Sequence, residues 1–233
     1  MTDTPTEPTT AELPGDPGRL HLTVTSEIGP LLAGGERMQT HRLLVRHPQE
    51  PAAAGIGRSP DDALGQVARL GICRIPMTRG SVSTALLAGP EGEIPQWSEA
   101  IGAVCRDALT TQGERTHFTT VLRKVLGSGP YGDLGDLLIV DEFTFHGGWE
   151  DPGLGVLLLG ELVARTGAGP CVVAIAPELL DGAQGYQRTL AVLRAGRFRH
   201  LSGHTMVAEQ PGFPAFSGPA GLELIRRHRS SSG

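Results

Sequence analysis

Glu142 follows Asp141 inside an apolar run, Leu137 to Phe145 (LLIVDEFTF), and it is the one candidate general base. A carboxylate on a strand lining a cleft can accept a proton from an amine, directly or through water, when burial raises its pKa. Successive strand residues face opposite ways, so only one of the two carboxylates is expected to point into a site. The competing reading is a strand-edge carboxylate paired with an arginine. Beyond it, Phe143 to Gly155 carries a buried strand through a glycine-bearing turn and straight into a helix. Asp151-Pro152 is a helix-start signal, with Asp as N-cap and Pro at the first helical position. The free N–H groups of a first helical turn, together with the helix dipole, attract negative charge. Gly153 and Gly155 would let a ligand approach the backbone, so Gly153, Leu154, Gly155 and Val156 are the expected anion cradle. Asp151 also has a purely structural use, as the cap itself.

Other reactive side chains carry weaker signals. His146 lies just past the strand in a Gly-rich turn and reads as solvated. His200 and His204 are four apart, which suits a metal on a helix. Here Ser202-Gly203 separates them, so they read as hairpin neighbours, and no metal site is expected. Lys124 is the only lysine beside 19 arginines, and Val125 follows it. A P-loop needs Gly-Lys-Ser/Thr, so that class is excluded. Cys73, Cys105 and Cys171 are odd in number and far apart, without a CxxC pair. They read as buried, inert thiols. The sequence contains no HExxH, no GxSxG elbow and no paired-carboxylate motif.

Composition narrows the partners. The 233 residues carry a net charge of −5 and 10 aromatic residues. Neither steering toward phosphate backbones nor base stacking is expected, so nucleic acid is excluded as a partner. No 18-residue apolar run and no signal peptide are evident; the reading is a cytoplasmic protein without a membrane partner. Gly (33) and Pro (18) make up about a fifth of the chain against an ordinary share of roughly 12 %, which implies long loops or tails.

The elements that must position Glu142 and the turn follow from apolar periodicity. Residues 1–18 are Thr/Pro/acid-rich and read as a disordered tail. Leu20–Thr25 and Thr40–Arg46 alternate as strands. Asp61–Arg69 is expected as a short helix, capped by Ser59 with Pro60 at its start. Leu70–Met77 and Val82–Ala88 are expected strands, with a turn at 78–80. Apolar spacings of 3 and 4 over Pro95–Leu109, and again over Phe118–Leu126, predict two helices, a helical insertion at 95–127. From Leu137 the order reads strand, helix (153–165), strand (171–176), helix (187–195), then a closing hairpin (198–200 and 205–208). The fold class is therefore α/β (α+β). A mixed, mostly antiparallel central sheet is flanked by helices, with the insertion before the fourth-strand region. Residues 19–209 form a single domain, and 210–233 read as a Pro/Gly linker with a short basic tail.

Glu150-Asp151-Pro152-Gly153-Leu154-Gly155 stands in the frame of a Gln/Arg-x-x-Gly-x-Gly/Ala turn. It follows a strand, and Arg194 to Phe198 leads from a later helix into a hairpin. In these features residues 137–208 resemble the GNAT-type N-acyltransferase superfamily, whose turn after the fourth strand cradles the pyrophosphate of acetyl-CoA. The resemblance implies a GNAT-like fold and acetyl-CoA or another acyl-CoA as cofactor. Phe143, Thr144 and Phe145 would be the strand that hydrogen-bonds the pantetheine arm. Gly153, Leu154, Gly155 and Val156 would be the phosphate cradle, and Glu142 the base toward a small-molecule or peptide amine. The sequence departs from the family at Glu150, in place of Gln or Arg, and at Leu193, where the family often has Tyr. Those departures motivate a second reading, a catalytically inactive GNAT-fold binding or scaffolding protein. A third is a hydrolase with its pocket in the region 95–126, where no motif stands.

Overall fold

The computed structural model describes residues 13–29, 37–48, 65–77, 81–83, 98–127, 135–146, 148–167, 169–180, 182–209 and 213–231. A seven-stranded sheet organises the chain. Its strands are β1 (His21–Ile28), β2 (Gln39–His47), β3 (Gly65–Ile75), β7 (Asp136–Phe145), β8 (Cys171–Ile175), β10 (Thr205–Glu209) and β9 (Arg199–Ser202), in that spatial order. Every neighbouring pair is antiparallel except β7 and β8, which run parallel from Asp136↔Cys171 to Val140↔Ile175. The expectation of a mixed, mostly antiparallel sheet flanked by helices therefore holds. A second sheet joins β4 (Ser81–Ser83), β6 (Arg115–Phe118) and β5 (Leu109–Gln112).

The helices are α1 (Glu99–Ala108), α2 (Thr120–Leu126), α3 (Pro152–Arg165), α4 (Pro177–Leu180), α5 (Gly182–Ala195) and α6 (Pro219–Ser231). Two cores lie on opposite faces of the large sheet, and the period-two pleat divides the central strands between them. Leu138, Val140, Val173 and Ile175 join α3 and α5 in one core, whereas Leu137, Ile139, Val172 and Ala174 join α1, α2 and the small sheet in the other. This is why β7 and β8 read as continuous apolar runs.

Several expectations are corrected. Residues 65–69 are strand, not helix, because Val67 and Ala68 are wholly buried in the sheet and Ala68 pairs with both neighbouring strands, opposite Val45 and Phe145. Cross-strand burial overrides the local helix signal. Residues 59–64, the turn at 78–80, the end of the expected strand at 84–88 and residues 95–97 lie outside the described residues. The stretch between α1 and α2 is not wholly helical. Leu109–Gln112 and Arg115–Phe118 form a tight hairpin, turning at Gly113 with φ 63°. The sequence signal was there, in the Thr-rich run around a glycine.

Both ends of the domain extend further than expected. Within the expected tail, Leu13 and Pro17 are buried, and Asp16 caps a 3₁₀ turn at Pro17–Arg19. Asp16 also meets Arg229 at 3.0 Å, joining the beginning of the described chain to its last helix. Residues 213–231 are no linker. Phe213, Phe216 and Leu224 pack against the first core, and the Phe216 N–H donates to the Leu157 carbonyl at 3.0 Å. Gly160 admits this segment, since a side chain there would collide with the Pro214 carbonyl.

Candidate functional site

The two candidate clusters sit where β7 outruns β8. The parallel ladder ends at Val140↔Ile175, and α4 begins two residues later, yet β7 continues to Phe145 against β3 alone. The β3–β7 register shifts between Gly71 and Ile72, so Glu142 pairs with Gly71 and Val140 with Ile72, leaving Asp141 as the extra residue of a bulge. A bulge re-aims side chains locally. It corrects the expectation that only one carboxylate of the pair can enter a site. Asp141 and Glu142 both reach Arg42.

Asp141 and Arg42 form a two-pronged pair at 2.7 and 2.8 Å. Glu142 lies 3.1 Å from Arg69 and 3.8 Å from Arg42. Bidentate geometry is the strong form of this contact. The Asp141 side chain is 7 % exposed and that of Glu142 26 %, so the cluster opens to solvent on its glutamate side. Gly71 makes room for it: a Cβ there would strike the Arg42 guanidinium and stand 2.6 Å from an Asp141 oxygen. Glu142 is thus engaged by two guanidiniums, as the arginine-paired reading anticipated. Taking a substrate proton would require breaking those contacts. Arg42, Arg69 and Gly71 were missed at the sequence level because they lie on β2 and β3, about 70 to 100 positions away in the chain.

After the bulge the strand alternates again. Phe143 is buried and reaches toward α3, Thr144 is exposed, and Phe145 meets Phe143 edge-on at 5.3 Å between centroids. The turn is then locked. The His146 N–H donates to the Val67 carbonyl at 2.8 Å, and its Nε2 lies 3.1 Å from Gln66 Nε2. Trp149 is fully buried, with its ring 4.9 Å from that of His47.

The helix start differs from the expected anion cradle. Asp151 is 3 % exposed, and its Oδ1 accepts the Leu154 N–H at 2.8 Å. Pro152 has no N–H, and the Gly155 N–H donates to the Asp151 carbonyl at 2.9 Å. The donors that were to hold a phosphate are therefore absent at one position and engaged at two others. Leu154, Gly155 and Val156 are buried. Gly155 serves packing: a Cβ there would be 2.8 Å from Val192 and 3.6 Å from Phe143. Gly153 alone of the four is exposed. With Val156 it borders a cleft of about 340 Å³ whose far wall is α6, including Leu224, Glu223 and Arg227. Arg227 is bonded to Glu223 at 3.1 Å.

The remaining candidates resolve separately. His200 Nε2 lies 3.1 Å from the Gly203 carbonyl, and His204 pairs with Glu178, so the two imidazoles serve different partners. Among the described residues no group of three His, Cys, Asp or Glu side chains could hold a metal. Burial pushes all three thiols up to about 12, which fits inert cysteines. Among the described residues no helix is long and apolar enough to cross a membrane. No family model matches the chain, and neither a curated protein nor a solved structure matches it significantly.

Proposed function

We propose that the chain is a binding or scaffolding protein built on a GNAT-like architecture, without acyl-CoA at the start of α3. The observation that carries this is the buried Asp151 carboxylate on the Leu154 N–H. A pyrophosphate there would have to displace a charge-assisted hydrogen bond, worth about 1.5–3 kcal/mol. It would also stand beside a carboxylate, which at ~5–6 Å and an effective dielectric near 20 costs on the order of 3 kcal/mol. The residues at this helix start do not fit the cofactor. The architecture is supported by β7 as fourth strand of the large sheet, followed by turn, helix, parallel strand, helix and closing hairpin.

A second reading, acyl transfer from acyl-CoA to an amine, draws on one observation. β7 runs on beyond β8, and the cleft beside Gly153 is also lined by Arg227, whose guanidinium is paired with Glu223. Titration calorimetry with acetyl-CoA and a thiol-release assay with a panel of amines separate the two. The first reading expects no saturable heat at millimolar ligand and no thiol release, and it expects Glu150→Arg to change neither. Turnover by the unmodified protein ends the first reading.

A further inference from the structure

The two edges of the large sheet are built differently. An edge strand presents a row of unpaired N–H and C=O groups, and natural chains blunt it with short length, charge or a bulge. The β9 edge has all three. It is four residues long, contains Arg199 and His200, and meets β10 with a register shift at Thr205/Met206. The β1 edge is neither short nor bulged, and its two ionisable residues, His21 and Glu27, stand near its two ends. It spans eight residues (HLTVTSEI), holds unbroken register with β2, and contains no Pro, Lys or Arg. Among the described residues no strand pairs with its outer side. The first core also runs out to this edge: Leu20, Leu22 and Val24 pack against it while only partly buried, and Ile28 is 60 % exposed.

We propose that two copies of the chain associate through β1, pairing antiparallel about a two-fold axis so that the large sheets become continuous. Side-chain parity limits the register, and the ionisable pair selects within it. Partners across an antiparallel pair lie on the same face, so even positions must meet even positions. A two-fold centred on Val24 does this. It sets Val24 against its own copy, Thr23 against Thr25, Leu22 against Ser26 and His21 against Glu27 of the second copy. The two ionisable residues of β1 thereby find each other, twice per interface. Centring on Thr25 instead would set Glu27 against Thr23 and carry His21 past the end of the strand. That self-complementarity is what names a second copy as the occupant.

Sedimentation velocity on the full chain tests this over a concentration series. The expected result is a reversible monomer–dimer equilibrium in the micromolar range. Glu27→Arg replaces the acceptor opposite the His21 imidazole with a guanidinium, and His21→Glu sets like charges opposite Glu27. With two such pairs per interface, either single change weakens association by about tenfold. The double variant His21→Glu/Glu27→Arg restores it, which separates a broken interface from a damaged fold. Val24→Cys under mild oxidation yields a disulfide-linked dimer on a non-reducing gel that the parent chain does not form. A chain that stays monomeric throughout, or a dimer indifferent to both charge reversals, overturns the proposal. A dimer that does not cross-link at position 24 overturns the register.

Discussion

Asp151 shows how a single residue redirects a site. Its side chain caps α3, and the same bond removes the amide that an anion would have used. Asp151→Ala should therefore cost about 1–2 kcal/mol of stability, read as a lower urea midpoint at unchanged slope. Asp151→Asn, which keeps an acceptor oxygen, should recover most of the loss. Asp141 and Glu142 teach a complementary lesson. Their adjacency was legible in the sequence, but the alternation rule assigned them to opposite faces. One extra residue in the β3–β7 ladder brings both to Arg42. No local signal in LLIVDEFTF announces that bulge, because it arises from pairing with β3.

At the scale of elements, the clearest revision is the C-terminal segment. A Pro/Gly-rich stretch followed by arginines reads as linker and tail, and its own apolar content is too low to demand burial. The docking surface lies on α3, where Gly160 leaves a gap and Glu161 waits as an acceptor. Glu161 is 2 % exposed and accepts both the Ser217 N–H at 3.0 Å and its hydroxyl at 2.7 Å, with Arg165 at 3.0 Å completing the shell. Burial alone would raise its pKa, but the bonds from Ser217 and the Arg165 guanidinium outweigh it and hold the carboxyl below its usual value. Ser217→Ala leaves the backbone donor and removes the hydroxyl. The expected cost is about 1 kcal/mol, measured by denaturant unfolding, and proteolysis should show 213–231 opening before the sheet.

At the scale of the whole molecule, among the described residues, the pH dependence just below neutrality rests on one buried imidazole. His41 lies in the sheet at 4 % exposure, with Nδ1 2.8 Å from the Ser26 hydroxyl and Nε2 without a hydrogen-bond partner. Burial, and then the nearby Arg74, hold its pKa below the ordinary 6.5. Between the lowered folded value and 6.5 the unfolded chain binds the extra proton, so stability is fully present above about 6.5 and declines as pH falls through that window. The Glu161 contribution has the same sign but belongs to the carboxylate range, where stability is lost as pH falls below the ordinary 4.5. Unfolding free energy measured from pH 7.5 to 5.5 should fall in the parent chain, and His41→Gln should flatten that slope. An unchanged slope in the variant would place the titrating group elsewhere.

What the sequence determined by itself was whatever depends on neighbours along the chain. The buried strands β7 and β8 follow from continuous apolar runs, α3 from its Asp-Pro start and dense apolar stripe, and the inert cysteines from their apolar settings. The tertiary structure alone decided which backbone donors stay available and which charges meet. It turned 65–69 from helix to strand, placed Arg42 and Arg69 on the Asp141–Glu142 bulge, and folded 213–231 onto α3. The physical reason is common to all three. Each outcome rests on pairing between segments distant in sequence, where burial and ion-pair geometry outweigh preferences of a few tenths of a kcal/mol per residue.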